Sequence, residues 1–147
     1  LFEVYFFEEA MSEAVRHFEE KANEDREAMG FFLGKVYSWN NDSFVIASEY
    51  VTGKNKATKV SVRFAESAFE NIAQKLNESG KHIAIWAHSH PGFGCFMSAT
   101  DLSTHERYFD DANNYALVVD PIRKEKKLFK LEEGNCVEAS FAVVRKK

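Results

Sequence analysis

The stretch His82-Ile83-Ala84-Ile85-Trp86-Ala87-His88-Ser89-His90-Pro91-Gly92-Phe93-Gly94-Cys95-Phe96-Met97-Ser98-Ala99-Thr100-Asp101 decides how the rest of the chain is read. Its opening is a short, continuous apolar run between histidines, the pattern of a buried strand. Pro91, Gly92 and Gly94 then break regular structure, and Ser98-Ala99-Thr100-Asp101 matches the Ser/Thr-x-x-acid pattern that opens helices. A buried strand feeding a loop and then a helix calls for a sheet covered by helices, so the expected fold class is α/β or α+β.

The flanking sequence supplies the other elements. Val4-Tyr5-Phe6-Phe7 is β-branched and aromatic, and Met11, Ala14, Val15, Phe18 and Ala22 recur at helical spacing among charged residues, so a strand leads into an amphipathic helix. Residues 30–37 and 43–47 read as strands joined into a hairpin by Trp39-Asn40-Asn41-Asp42. Residues 52–58, polar and basic around Gly53, read as a loop before a strand at 60–62. Ala65, Ala68, Phe69, Ile72, Ala73 and Leu76 mark a second helix, which Ser79-Gly80 ends. A third helix starts near Ser98, and three strands follow at 115–119, 127–131 and 136–144, separated by Asp120-Pro121 and Glu133-Gly134-Asn135.

With 147 residues and no linker or repeat, the chain reads as one domain over 1–147 that can bury a core without disulfides. Its 14 Phe against 7 Gly and 2 Pro favour long regular elements over turns. The net charge of −4 removes the bulk attraction on which phosphate-backbone binding depends, so nucleic acid is not an expected partner. No apolar run nears the roughly 20 residues of a membrane span, and the first residues lack a basic, signal-like start, so neither a membrane nor a targeting segment is expected. Cys95 and Cys136 are too few for a disulfide framework and lack CxxC spacing, which points to a reducing, cytoplasmic setting.

The chemistry concentrates after the buried strand. Side chains two apart on a strand share a face, so His88 and His90 project two imidazoles together. The glycine loop can return Asp101, at the start of the third helix, as a carboxylate. Two His and one carboxylate leave a fourth tetrahedral position open for water, the arrangement of a catalytic zinc. Spacing alone leaves a second reading open, because Ser98 and Asp101 also form a capping box that needs no metal. Both can hold at once. Cys95 reads as a small packing residue and not a ligand. His105, four residues past Asp101 on the same helix face, would close the open position, so it is placed behind the metal or on the surface. His17 and His82 read as structural. Glu27, in the run Glu24-Asp25-Arg26-Glu27, reads on its own as a solvated charge.

Together these residues resemble the JAMM (MPN+) metalloproteases, whose signature is an upstream Glu, then His-x-His-Pro, then a Ser and an Asp. The wording is most similar to the deubiquitinating subunit of the proteasome lid and its signalosome relative, in the segment from His88 to Cys95 and in Val118-Val119-Asp120-Pro121-Ile122. Glu27-Ala28-Met29-Gly30 supplies the upstream Glu. The resemblance implies a mixed, curved β-sheet flanked by helices, cytidine-deaminase-like, and one Zn2+ held by His88, His90 and Asp101. It also implies Glu27 as general base and Ser98 as hydrogen-bond donor to the oxyanion. A nucleobase deaminase is disfavoured, since the H-x-E and P-C-x-x-C patterns are missing.

The activity so implied is an isopeptidase that frees the C-terminal Gly of ubiquitin or a ubiquitin-like modifier from lysine. The modifier tail would lie against the wall from Val51 to Val62, with Val51, Thr52 and Gly53 as its first contacts, and with Phe93, Phe96 and Trp86 as apolar walls or supports. Phe96 and Met97 stand where the lid and signalosome subunits carry Trp and Leu. The chain ends soon after its last strand, so a free-standing or homodimeric enzyme, or one with an MPN-type partner, is expected. The alternatives are a processing protease for another Gly-Gly-tailed protein, such as a sulfur carrier or a small archaeal-type modifier, and a non-catalytic MPN scaffold.

Overall fold

The computed structural model describes residues 1–52, 76, 78–109 and 111–146, with the backbone alone at 55–57 and 62–64. Strand β1 (Val4–Phe7) runs directly into helix α1 (Glu8–Asn23), which has Glu8 and Glu9 in its first turn to complement the helix dipole and buries Ala10, Met11, Ala14 and Phe18. Strands β2 (Met29–Trp39) and β3 (Asp42–Val51) form the expected hairpin. Its two turn residues, Asn40 and Asn41, have φ of 51° and 68°, the double left-handed conformation that tight hairpins require and Asn tolerates.

The segment after Thr52 differs from the loop expected over 52–58. Asn55–Ala57 form β4, paired antiparallel with β5 (Val62–Phe64) as a separate two-stranded sheet. Main-chain ladder bonds need no apolar side chains, which is why the polar composition concealed this strand. The strand expected at 60–62 begins at Val62, and 58–61 lie outside the described residues. So do Gly53 and residues 65–75 of the second expected helix. Leu76 is helical and packs into the core, and Gly80, at φ 70°, donates its N–H to the Leu76 carbonyl at 3.1 Å as the expected cap.

Strand β6 (His82–Ser89), helix α2 (Ala99–Tyr108) and strand β7 (Tyr115–Asp120) form a crossover unit with the two strands parallel. Strands β8 (Glu125–Glu132), β9 (Asn135–Ala139) and β10 (Phe141–Val144) complete the chain. The eight-stranded mixed sheet has the order β10-β1-β3-β2-β6-β7-β8-β9. The single last strand expected over 136–144 is therefore corrected: it breaks at Ser140, with β9 antiparallel to β8 and β10 parallel to β1 at the other end of the sheet. The sheet curls until its two ends are one residue apart. Ser140 binds that junction: its Oγ accepts the Glu3 N–H at 3.1 Å, its N–H donates to the Glu3 carboxylate at 3.1 Å, and its carbonyl accepts the Val4 N–H at 3.3 Å. A Lys130–Glu3 ion pair adds a second tie.

Apolar side chains fill both faces of the sheet. One cluster joins Phe6, Phe32, Ile85, Leu117 and Leu128 to the buried face of α1. The other joins Phe31, Leu33, Val51, Trp86 and Ala116 to Phe109. Neighbouring residues of β2 thus enter opposite cores, which explains the continuous apolar run that marks a strand covered on both sides.

Candidate active site

Strand β6 lies between β2 and β7, so the backbone that carries His88 is held by ladder bonds on both sides. The ladder extends one residue past the strand, since His90 donates its N–H to the Val119 carbonyl at 2.9 Å. Both imidazoles are buried, with ring centroids 4.9 Å apart. Asp101 reaches them from the first turn of α2: its Oδ2 lies 3.0 Å from His88 Nε2 and 3.1 Å from His90 Nε2. The potential ligand atoms of the three residues all fall within 4.8 Å of one another. Cys95 and His105 are not part of this group.

The capping-box reading of Ser98 and Asp101 is met, in a geometry that keeps the Asp101 carboxylate beside both imidazoles. Asp101 donates its N–H to Ser98 Oγ at 3.1 Å, and its Oδ2 accepts the Ser98 N–H at 2.9 Å, a reciprocal capping box. The Ser98 oxygen is thereby fixed as an acceptor, which leaves its hydroxyl proton to donate elsewhere.

Glu27 overturns the solvated reading. Its neighbours Glu24, Asp25 and Arg26 are exposed, but Glu27 is only 5% exposed, and its buried Oε2 has no hydrogen-bond partner among the described residues. The connection that carries it is clamped to β6: Ala28 donates its N–H to Ser89 Oγ at 2.9 Å, and Ser89 donates its N–H to the Ala28 carbonyl at 3.0 Å. Ser89, the residue between the two histidines, is fully buried and was not singled out in the sequence. Ser89→Ala should leave the buried Ala28 N–H unpaired and cost about 1–3 kcal/mol. A lower denaturation midpoint with an unchanged slope checks this.

Electrostatics separate the groups. Burial pushes the Glu27 carboxyl up to about 7, opposed by His90 and aided by Asp101. Burial also acts to raise Asp101, but the His88 and His90 imidazoles outweigh it and hold that carboxyl well below the usual range. Burial lowers His88, whereas at His90 the partnership with Asp101 and the charge of Glu27 overcome burial and raise it. One carboxyl is therefore firmly ionised while the other is poised near neutrality, the division expected of a ligand and a proton-transfer group.

In the sequence Asp120 reads only as a turn signal and as part of a motif. It is fully buried, and its Oδ1 accepts the N–H groups of Gly92 (2.8 Å), Ile122 (3.0 Å) and Arg123 (3.0 Å) while Oδ2 accepts that of Gly94 (2.8 Å). Gly92 and Gly94 have φ of 80° and 85°, a region other side chains rarely enter. This loop presents Phe93 and Phe96, 50% and 47% exposed, and places the Phe96 ring 4.8 Å from that of His90. Val51 is buried in the second core, so it has only main chain to offer a peptide. Thr52 is exposed and donates its hydroxyl to the Met29 carbonyl at 3.0 Å. Trp86 is buried behind His88. His105 is buried against Trp86, which excludes the surface placement, and His17 contacts the Tyr50 hydroxyl at 2.8 Å.

A mixed sheet with a His-x-His at the end of a central strand, a carboxylate from the following helix and a buried Glu alongside forms a group that could hold a metal ion. The family model described as JAB1/Mov34/MPN/PAD-1 ubiquitin protease matches residues 3–114, and the chain belongs to this family. Among curated proteins, it is 31% identical over 128 residues to the ubiquitin carboxyl-terminal hydrolase RPN11 of Saccharomyces cerevisiae, covering 84% of this chain and 40% of that protein. The 26S proteasome regulatory subunit RPN11 of Candida glabrata is matched to the same extent, 31% over 128 residues with 84% and 40% coverage. COP9 signalosome complex subunit 5 of Drosophila melanogaster is 33% identical over 105 residues, 66% of this chain and 30% of that one. The chain thus spans about two fifths of the length of the RPN11 proteins. Among solved structures, protein DSY2949 of Desulfitobacterium hafniense superposes with a TM-score of 0.64 over 97% of this chain and 94% of its own, at 15% identity, a likeness of fold.

Proposed function

We propose that the chain is a zinc-dependent isopeptidase that hydrolyses the bond between the C-terminal Gly of ubiquitin or a ubiquitin-like modifier and a lysine amine. The observation that carries this reading is the convergence of the buried His88 and His90 with the half-buried Asp101 beside a buried Glu27. The three residues fit zinc: two imidazole nitrogens and a carboxylate oxygen match its donor preference, and His88 Nε2, although 3.0 Å from Asp101 Oδ2, makes no aligned hydrogen bond among the described residues. Bound there, zinc lowers the pKa of a water and polarises the scissile carbonyl.

The chain's own groups supply the rest. Glu27 takes the proton of the attacking water and delivers it to the departing lysine nitrogen as the C–N bond breaks and oxygen joins the carbonyl carbon. Ser98 donates a hydrogen bond from its hydroxyl to the oxyanion formed in the attack, a contribution worth about 3 kcal/mol when one such donor is removed elsewhere. An extended tail pairs by main chain alongside the end of β3 at Val51 and the following Thr52, and Phe93 and Phe96 wall the narrow Gly-Gly end. A second copy or another MPN domain is the partner proposed, supported by the proteasome and signalosome names of the relatives. A cytoplasmic setting is proposed with it. No helix among the described residues is long and apolar enough to cross a membrane.

A cleavage panel of modifier–lysine conjugates, with and without a chelator, tests the activity. Cleavage that stops on chelation and returns with zinc supports it, whereas equal cleavage of unrelated Gly-Gly-tailed precursors favours the processing reading. His88→Ala should abolish zinc uptake; one tightly held zinc in that variant would refute the ligand assignment.

A further inference from the structure

Metal-binding imidazoles are usually oriented by a hydrogen bond from the second ring nitrogen to a carboxylate or carbonyl. His88 departs from that pattern, because its buried Nδ1 has no hydrogen-bond partner among the described residues. Its ring plane is set in another way. The Trp86 indole, two residues earlier on the same face of β6, stacks on it with centroids 4.5 Å apart and planes 15° from parallel. Trp86 is in turn held by α2. Its Nε1–H donates to His105 Nδ1 at 2.9 Å, and its ring stacks on Phe109 at 5.7 Å and 7°. His105 lies one helical turn past Asp101 and is 2% exposed.

We propose that His105 is a positioning residue that fixes the His88 ring plane through the Trp86 indole, coupling helix α2 to strand β6 at the metal centre. The consequence for metal binding rests on the reading of His88, His90 and Asp101 as ligands, and the consequence for the His88 ring does not. As the acceptor of an indole N–H, His105 is a neutral imidazole protonated on Nε2, and burial favours that form. The same helix therefore contributes twice: Asp101 from its first turn as a donor to the metal, and His105 one turn later as an anchor for the wall behind the opposing ligand.

The test compares His105→Leu, which removes the acceptor, with His105→Asn, whose Oδ1 takes the place of Nδ1. Zinc affinity is measured by competition with a chromophoric chelator, and the His88 ring protons are followed by NMR in metal-free protein, where the indole ring current displaces them. His105→Leu should weaken zinc by roughly 10–100-fold and move the His88 resonances, and His105→Asn should restore both close to wild type. Wild-type affinity and resonances in His105→Leu would overturn the proposal, as would a loss that Asn does not rescue. Should the Leu variant not fold, Trp86→Phe deletes the N–H while keeping an aromatic ring and leaving no buried donor unpaired. Weakened zinc binding there supports the tether, and wild-type affinity overturns it. If the wild-type protein takes up no zinc, the ligand reading fails by itself, and the His88 resonances of the His105 variants still decide the positioning role.

Discussion

Glu27→Gln is expected to lower kcat by about 10²- to 10⁴-fold while leaving zinc content and KM close to wild type. The substitution keeps the shape of the side chain and removes its capacity to take and return a proton. Three features of the site make the effect large. The carboxyl is buried, so water cannot readily replace it as proton acceptor. Its pKa is pushed up to about 7, close to the operating pH at which a general base is most effective. Its backbone is locked to the histidine strand through the Ala28–Ser89 pair, so the group is held in place before substrate arrives. Steady-state kinetics with a modifier–lysine conjugate, together with metal analysis of the purified variant, check the expectation. Unchanged turnover would remove Glu27 from the mechanism, and loss of zinc would make it a determinant of metal binding instead.

Asp120→Ala should destabilise the protein by about 3–5 kcal/mol, the range for breaking a buried charged network. The estimate follows from the four backbone N–H groups on one carboxylate, each of which loses a charge-assisted bond. The Arg123 guanidinium, 3.6 Å from Oδ2, loses its partner too. Since the same carboxylate holds the Gly92–Gly94 turn that presents Phe93 and Phe96, activity should fall further than stability alone explains, with KM rising. Denaturant unfolding and kinetics on the remaining folded fraction separate the two effects. Asp120→Asn gives a pH signature. Burial acts to raise the Asp120 carboxyl, but the surrounding N–H groups hold it below its ordinary value of 3.8. A depressed folded-state pKa contributes stability that is fully present above that ordinary value and lost as pH falls through the folded one. The stability gap between wild type and Asp120→Asn should therefore be widest near neutral pH and narrow on acidification. A gap independent of pH would mean that the carboxylate charge does not hold the turn.

Much of this arrangement was legible in the sequence where local rules act. The β2–β3 hairpin was marked by Asn40-Asn41, because that turn needs two left-handed residues, and β6 by an apolar run that both cores explain. His88 and His90 could be paired from strand periodicity, and Asp101 joined to them through the Pro91 and glycine loop that turns the chain back. What escaped was decided by distant partners. Glu27 looks on its own like the end of a charged run and is singled out only by the family resemblance; its burial goes with the clamp of the next residue, Ala28, to Ser89 on a strand far along the chain. The role of His105 depends on Trp86, and that of Asp120 on Gly92 and Gly94 across the β6–β7 crossover. The break at Ser140 escaped because alternation along a strand reports which face is buried, not which neighbour is paired.

That break also bears on the order in which the molecule can assemble. Glu3 and Ser140 meet across 137 positions, and β1 receives one of its two neighbours from residues 141–144. A chain still being synthesised can close the β2–β3 hairpin and the β6–α2–β7 crossover, but it leaves one edge of β1 open until residues 141–144 emerge. Closure of the curled sheet is thus a non-local event, of the kind that slows folding and exposes an unpaired strand while it waits.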